Sequence, residues 1–210
     1  MTTSEIAYHE IHKMILAGEL IPGKKVSQLK LARKFGCSTV PVVEAMRRLE
    51  SEGLLVKEGR KMAIVRQLSL DELEGFYLVR EALESVAAGL CAQRISESEV
   101  THLKKLAEQF EVAGDMQHYD VLIRLEIEIH RCITENAGCP LLLEELNRLF
   151  LIETTVKATK NIKSPAEYRR SHRAIIEAIA DGDADSAEYF MKRHIRDGYH
   201  KILQQAQGET

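Results

Sequence analysis

The sequence predicts a mainly α-helical protein in two parts: a small helical module closed by one β-hairpin, then an antiparallel bundle of about six helices. Three observations carry this. The chain is 45% hydrophobic but only 5% aromatic, with no Trp and only 4 Pro, and its abundance of Ala, Leu, Glu, Lys and Arg is the profile of a helix-rich protein. From Ser69 onward apolar residues recur with a period of 3.6 and no strand signal appears. Upstream, two short apolar runs flank a glycine turn at residues 54–65, the pattern of a hairpin. A length of 210 residues suffices for a real core in one large or two small domains, and the pattern favours two.

A first helix is expected from a Ser4 cap to Gly18, with Tyr8, Ile11, Met14 and Ile15 inward and His9 and His12 at the surface. Pro22-Gly23 turns the chain into a second helix, which Ser27 caps. Leu31, Ala32 and Phe35 share one of its faces, and Gly36 supplies the left-handed residue that ends it. Ser38 caps a third helix, whose first turn tolerates Pro41 because the earliest helical N–H groups lack partners. Val42, Ala45, Met46 and Leu49 then follow at helical spacing, and Gly53 stops it.

Two short helices across a tight turn, the second with a basic outer face, make a helix-turn-helix, which lays its second helix in the DNA major groove. Plain amphipathic packing would explain the helices equally well, but the flanks tip the balance. Leu54–Val56, the turn Lys57-Glu58-Gly59-Arg60-Lys61 and Met62–Val65 form a hairpin wing carrying three cations. The winged helix-turn-helix is expected over residues 1–66.

Arg66-Gln67-Leu68 is a very short connection to the bundle, expected over 69–204. Capping boxes open three of its helices: Ser69 with Glu72, Ser96 with Glu99, and Ser164 with Glu167, the last with Pro165 at the favoured first position. Gln93-Arg94, Gly114, Gly138 with Pro140, and Gly182 mark the stops. The polar tail from Gln204 is expected to fray, leaving residues 205–210 disordered.

Residues 1–66 hold 12 Lys+Arg against 7 Asp+Glu, a balance of +5, whereas 67–210 hold 17 against 25, a balance of −8. That asymmetry suits one part that meets phosphates and another that stays off them. No apolar run approaches the roughly 20 residues that span a bilayer, and no signal-peptide pattern opens the chain, so a soluble cytoplasmic protein is expected. Cys37, Cys91, Cys132 and Cys139 lack metal or redox spacing and read as reduced thiols.

One constellation stands out in the bundle. Glu126 and His130 lie one turn apart on the inward stripe Ile123, Ile127, Ile133, Ala137. His172 shares a stripe with Tyr168, Ile175, Ile176 and Ile179, and His194 with Ala187, Phe190, Met191 and Gly198. Gly182 lies ten residues after His172 and twelve before His194, so in an antiparallel hairpin their heights differ by about 3 Å at 1.5 Å per residue. A lone Glu-x-x-x-His is more simply a core histidine satisfied by its neighbour. Three imidazoles and a carboxylate at one level instead suit a divalent transition metal, with zinc ahead of nickel and manganese. Arg80 lies among Leu73, Phe76, Tyr77, Leu83 and Ala87, where a salt bridge to Glu84 is the simpler expectation.

ILAGELIPGKKVSQLKLA followed by GCSTVPVVEAMRRLESEGLL resembles the GntR family of bacterial winged-helix transcription regulators over residues 4–66. Where that family usually carries arginines, this chain has Thr39 and Val43, and Leu29 replaces a further one found in some members. The DNA contacts therefore pass to Lys30, Arg33, Lys34, Ser38, Thr39, Arg47, Arg48, Arg60 or Lys61. LIRLEIEIHRCITENAGCPLL and SHRAIIEAIADGDADSAEYFMKRHI resemble the FCD domain, the helical effector-binding domain of the FadR branch, over residues 70–203. The resemblance places Glu126, His130, His172 and His194 at the four metal-ligand positions, with Glu126 for the usual Asp and Cys139 for the usual Asn. YLVREALESVAAGL resembles its R-x-x-L-E-x-x-A-A segment and implies that Arg80 faces an acidic ligand.

These readings imply a regulator that binds double-stranded operator DNA as a homodimer and responds to a small organic acid at a metal site. The alternatives are a metal-dependent hydrolase using the same residues, for which four protein ligands leave little room for an activated water, and a DNA-binding regulator whose metal is purely structural.

Overall fold

The computed structural model describes residues 1–16, 19–116, 118–160 and 166–208. The chain divides into two compact units, Met1–Ser69 with Leu151–Asn161, and Leu70–Phe150 with Ile162–Thr210.

The first unit opens with α1 (Thr3–Leu16). Its cap is Thr2 rather than Ser4: the Thr2 N–H donates to Glu5 Oε2 at 2.6 Å and the Glu5 N–H donates to Thr2 Oγ1 at 3.2 Å. This reciprocal pair satisfies two orphan donors where a Ser4 cap satisfies fewer. The expected stop at Gly18 lies outside the described residues. Strand β1 (Lys25–Ser27) follows, then α2 (Gln28–Phe35), α3 (Thr39–Ser51), β2 (Leu55–Glu58) and β3 (Met62–Val65).

Ser27 Oγ accepts from the Lys30 N–H, as a cap should. Gly36, at φ 64°, turns its N–H to the Ala32 and Arg33 carbonyls while the Cys37 N–H reaches Ala32 O, closing the helix in Schellman fashion. Ser38 stands at the start of α3 in extended conformation, but its side chain makes no capping bond. Val42, Ala45, Met46 and Leu49 are buried against Ile11 and Ile15 of α1 in one core with Leu54, Leu55, Ala63 and Val65.

The sheet has three antiparallel strands in the order β1-β3-β2, with Val26 opposite Ala63 and Val56 opposite Ile64. The expected hairpin is β2 and β3. Strand β1 carries no sequence signal at three residues; it forms because the turn at Gly23 brings the chain beside β3, where Gly23 N–H donates to Val65 O and Val65 N–H to Lys24 O. Leu151 and Ile152 also pack on this core, although they lie beyond the 1–66 stretch read as the winged module.

The second unit contains α4 (Leu70–Arg94), α5 (Glu97–Asp115), α6 (Tyr119–Asn136), the start of α7 (Pro140–Lys160), α8 (Ala166–Ala180) and α9 (Ala184–Gly208). Helix α4 packs on α6, α8 and α9, while α5 packs on α6 and α8. Ser96 caps α5 by accepting from the Glu99 N–H, and α4 opens directly after Ser69. The box at Ser164 and Pro165 lies outside the described residues. Gly138 and Gly182 sit at φ 62° and 73° in the α6–α7 and α8–α9 turns. Gly114 does not end α5, which continues to Asp115 and closes on Met116. Backbone helix in α9 also runs past Gln204 to Gly208, because the Gln and Ala residues there are good helix formers. All four cysteines are free, with Cys91 and Cys132 buried.

A Cβ placed on Gly36 would meet no atom within 4 Å, so the cost of side chains there comes from the left-handed backbone alone. Gly36→Ala should lower stability in urea denaturation by about 1–2 kcal/mol, and Gly36→Asn by less. Equal stability of all three would contradict the turn's geometry.

Candidate metal centre and nucleic-acid face

Four polar side chains of the helical unit converge in its interior, each from the stripe that faces the core. Helix α6 supplies Glu126 and His130 one turn apart, α8 supplies His172, and α9 supplies His194. They are 4%, 2%, 1% and 1% exposed, and one candidate ligand atom from each lies within 4.8 Å of all the others.

The Gly182 turn produces the expected levelling of the last two histidines, whose rings are 4.4 Å apart. His130 Nε2 stands 3.1 Å from His194 Nε2 and 3.4 Å from His172 Nε2. Two nitrogens bound tetrahedrally to one zinc at 2.0–2.1 Å sit about 3.3–3.4 Å apart, close to the spacings here, which are also within hydrogen-bond reach. Phe110 meets the His172 ring edge-on at 4.7 Å, and Phe150 stands 6.3 Å from His130, so the cluster has apolar walls.

Arg80 is 1% exposed and donates from Nε to Glu84 Oε1 at 2.7 Å. Its guanidinium lies 5.8 Å from the Phe76 ring centre and 5.2 Å from that of Tyr77. The salt bridge is thus present, and Arg80 faces Glu84. The other Glu84 oxygen, Oε2, meets His130 Nδ1. Glu84 therefore belongs to the site, though sequence reasoning assigned it only to Arg80. The overlooked signal is a carboxylate in the middle of the buried stripe Leu73, Phe76, Tyr77, Arg80, Ala87, Cys91.

On the first unit, Lys30, Arg33, Lys34, Ser38, Thr39, Arg47, Arg48, Arg60 and Lys61 are all exposed. Two of the cations are tethered. Lys34 Nζ pairs with Glu19 Oε2 at 2.8 Å. Arg48 Nε pairs with Glu52 Oε1 at 3.0 Å while its guanidinium lies 3.9 Å over the Tyr8 ring. Lys30, Arg33, Arg47, Arg60 and Lys61 make no ion pair among the described residues. Val40 and Glu44, which carry no sequence signal, line with Ser38 and Pro41 a groove at the start of α3; Val40 is 63% exposed. In a recognition helix the first residues meet base edges, where valine suits a thymine methyl and glutamate a cytosine amine.

The sequence from residue 75 to 197 matches the FCD domain, and residues 3–65 match the bacterial regulatory proteins of the gntR family. The chain belongs to the GntR family. Bacillus subtilis has a relative, the uncharacterized HTH-type transcriptional regulator YdhC, that is 30% identical over 191 residues, covering 89% of this chain and 85% of that one. The HTH-type transcriptional repressor RspR of Escherichia coli is 24% identical over 199 residues, covering 94% and 87%. Among solved structures, E. coli McbR/YncC aligns over 100% of both chains with a TM-score of 0.82 at 18% identity, a likeness of fold. This GntR protein is therefore a helix-turn-helix transcription regulator and not an enzyme, which sets the hydrolase alternative aside. No helix among its described residues is long and apolar enough to cross a membrane.

His12, expected at the surface, is half-buried and stacks on Tyr8 with ring centres 6.1 Å apart. Tyr8 donates its hydroxyl to Glu52 Oε2 at 2.8 Å; burial, then this bond, pushes the phenol from 10.0 up to about 12. The stabilisation is whole below pH 10, where neither state ionises, and is lost as pH rises toward 12. In a 13C-tyrosine NMR titration, Tyr8 of Glu52→Gln should ionise at lower pH than in wild type, though above the free phenol because burial persists. An unchanged titration would mean that Glu52 does not hold the hydroxyl.

Proposed function

We propose that this protein binds operator DNA as a homodimer and that Glu126, His130, His172 and His194 hold one divalent metal, zinc first, through which a small organic acid acts as the signal. The observation that carries the reading is the meeting of three imidazole nitrogens at 3.1 and 3.4 Å beside a buried carboxylate. Packed this closely without a cation, such groups are costly to bury. A divalent ion would bond all four and leave the imidazoles neutral, the form in which they ligate.

Charge supports an acid as the signal. Arg80 and Glu84 cancel, and Glu126 leaves the cluster with one negative charge when its imidazoles are neutral. A divalent ion reverses that to one positive charge inside a unit whose sequence is acidic overall. An anion is then drawn to the site only through the metal, and Arg80 serves it by neutralising Glu84 rather than by facing it. A homodimer is supported by the exposed side of α4, where Leu78, Val79 and Val86 are 59%, 48% and 46% exposed and Ala82 lies between them. Two protomers also read two half-sites, which one winged helix cannot.

For DNA, the cations that make no ion pair among the described residues are the ones to test. Arg47→Ala, and separately the wing double change Arg60→Ala with Lys61→Ala, should each weaken operator binding about tenfold or more and flatten its salt dependence by roughly one unit of slope per lost phosphate contact. Thr39→Arg should raise general affinity. Unchanged binding by both groups of alanine variants would sink this docking.

For the signal, calorimetric titration of candidate acids into zinc-loaded protein, chelator-treated protein and the zinc-loaded operator complex separates the readings. Binding should vanish without metal and differ with and without operator, by the same factor that the acid changes operator affinity. Arg80→Lys, which keeps the charge beside Glu84, should retain more acid binding than Arg80→Ala, which also leaves Glu84 buried without its pair. Stoichiometric zinc with equal acid affinity in both states would leave only a structural metal.

A further inference from the structure

We infer that Glu84, held in place by Arg80, is the positioning residue that orients His130 as a metal ligand by keeping its proton on Nδ1. This inference rests on the metal reading above.

An imidazole has two nitrogens, and in its neutral form one carries the proton while the other offers a lone pair. Which nitrogen ligates is set by what the other one bonds. At His130 the two face unlike surroundings. Nε2 points at the Nε2 atoms of His194 and His172, at 3.1 and 3.4 Å, and Nδ1 points at Glu84 Oε2. A carboxylate only accepts, so this contact draws the proton to Nδ1 and leaves the Nε2 lone pair aimed at the point where the three rings meet. The same bond fixes the ring's rotation.

Glu84 is itself fixed. It lies one turn after Arg80 on α4, and both side chains are 1–2% exposed. Arg80 Nε engages Oε1 at 2.7 Å, so the two oxygens are divided between the guanidinium and the imidazole. The stacking of Arg80 near Phe76 and Tyr77 restrains the guanidinium in turn. A chain of contacts thus runs from α4 to α6: Arg80, Glu84, His130 Nδ1, then Nε2 and the ion. Carboxylate-backed histidines bind metal more tightly because the ring is pre-oriented and made more basic. This also explains why a carboxylate and a guanidinium occupy the interior of α4 where apolar residues would pack at lower cost.

The test is an imidazole 1H–15N correlation spectrum of the full-length protein at pH 8, with and without zinc, combined with zinc titration against a competing chelator. Wild type should show the His130 proton on Nδ1 in both states and zinc on Nε2. Glu84→Gln has the same shape, but its amide can either accept from or donate to Nδ1; it should populate the Nε2–H form and bind zinc about 10–100-fold more weakly. Glu84→Asp, which keeps the carboxylate, should restore the Nδ1–H form and recover part of the affinity, which a purely structural role would not do. Zinc bound through Nδ1 of His130, or a zinc-binding wild type with the proton on Nε2, overturns the inference whether or not the variants fold. A folded Glu84→Gln protein with wild-type spectrum and affinity overturns it while leaving the metal reading intact. A wild type that takes up no zinc overturns both.

Discussion

Among the described residues of the helical unit, Arg80, Glu84, Glu126, His130, His172 and His194 are buried in a core made largely of Leu, Ile, Phe and Ala. Placing such groups away from water is unfavourable unless each is paired. That constraint governs the unit's construction: helices α4, α6, α8 and α9 must each bring a polar residue to one level, and their turns and packing are those that achieve it. The Gly182 turn levels His172 with His194, and the i,i+4 spacing of Arg80 with Glu84 and of Glu126 with His130 places each pair on one inward stripe. An apolar core would tolerate slippage of one helix against another; a core of directional contacts does not, because a one-turn shift leaves a charge unpaired.

The winged-helix unit follows the opposite logic. Its α1–α3 core is built of apolar side chains, and Lys30, Arg33, Lys34, Arg47, Arg48, Arg60 and Lys61 are exposed, where charges cost little to hold. Even there, structure discriminates among them. Arg48 is held by Glu52 and Tyr8, so it stiffens the end of α3, while Arg47, one residue earlier, is exposed and makes no ion pair among the described residues. Thr39 is exposed and Val43 partly so, while the exposed cations of the unit lie on α2, at Arg47 and Arg48, and at Arg60 and Lys61.

Much of this was legible in the chain. The 3.6-residue periods, the glycines at 36, 138 and 182 and the Ser27 and Ser96 caps all mark real boundaries, because each acts through local chemistry that needs no tertiary context. The four-residue cluster was legible for the same reason, since stripe membership and distance from Gly182 determine height in a hairpin. What escaped depends on partners distant in sequence. Strand β1 exists only because β3 lies beside it. The α1 cap falls on Thr2 and not on the expected Ser4, because Glu5 can reciprocate there. Glu84 looked like the answer to Arg80 because both lie on one helix, and only the packing of α6 on α4 reveals that its second oxygen belongs to His130.

Whether the buried cluster is a metal site is the point on which the functional account turns, and X-ray absorption at the zinc edge on stoichiometrically loaded full-length protein addresses it most directly. The account predicts a first shell dominated by about three imidazole nitrogens with at least one oxygen at roughly 2.0–2.2 Å, and loss of imidazole scattering in His172→Ala. A shell of water oxygens alone, or of sulfur, would contradict it.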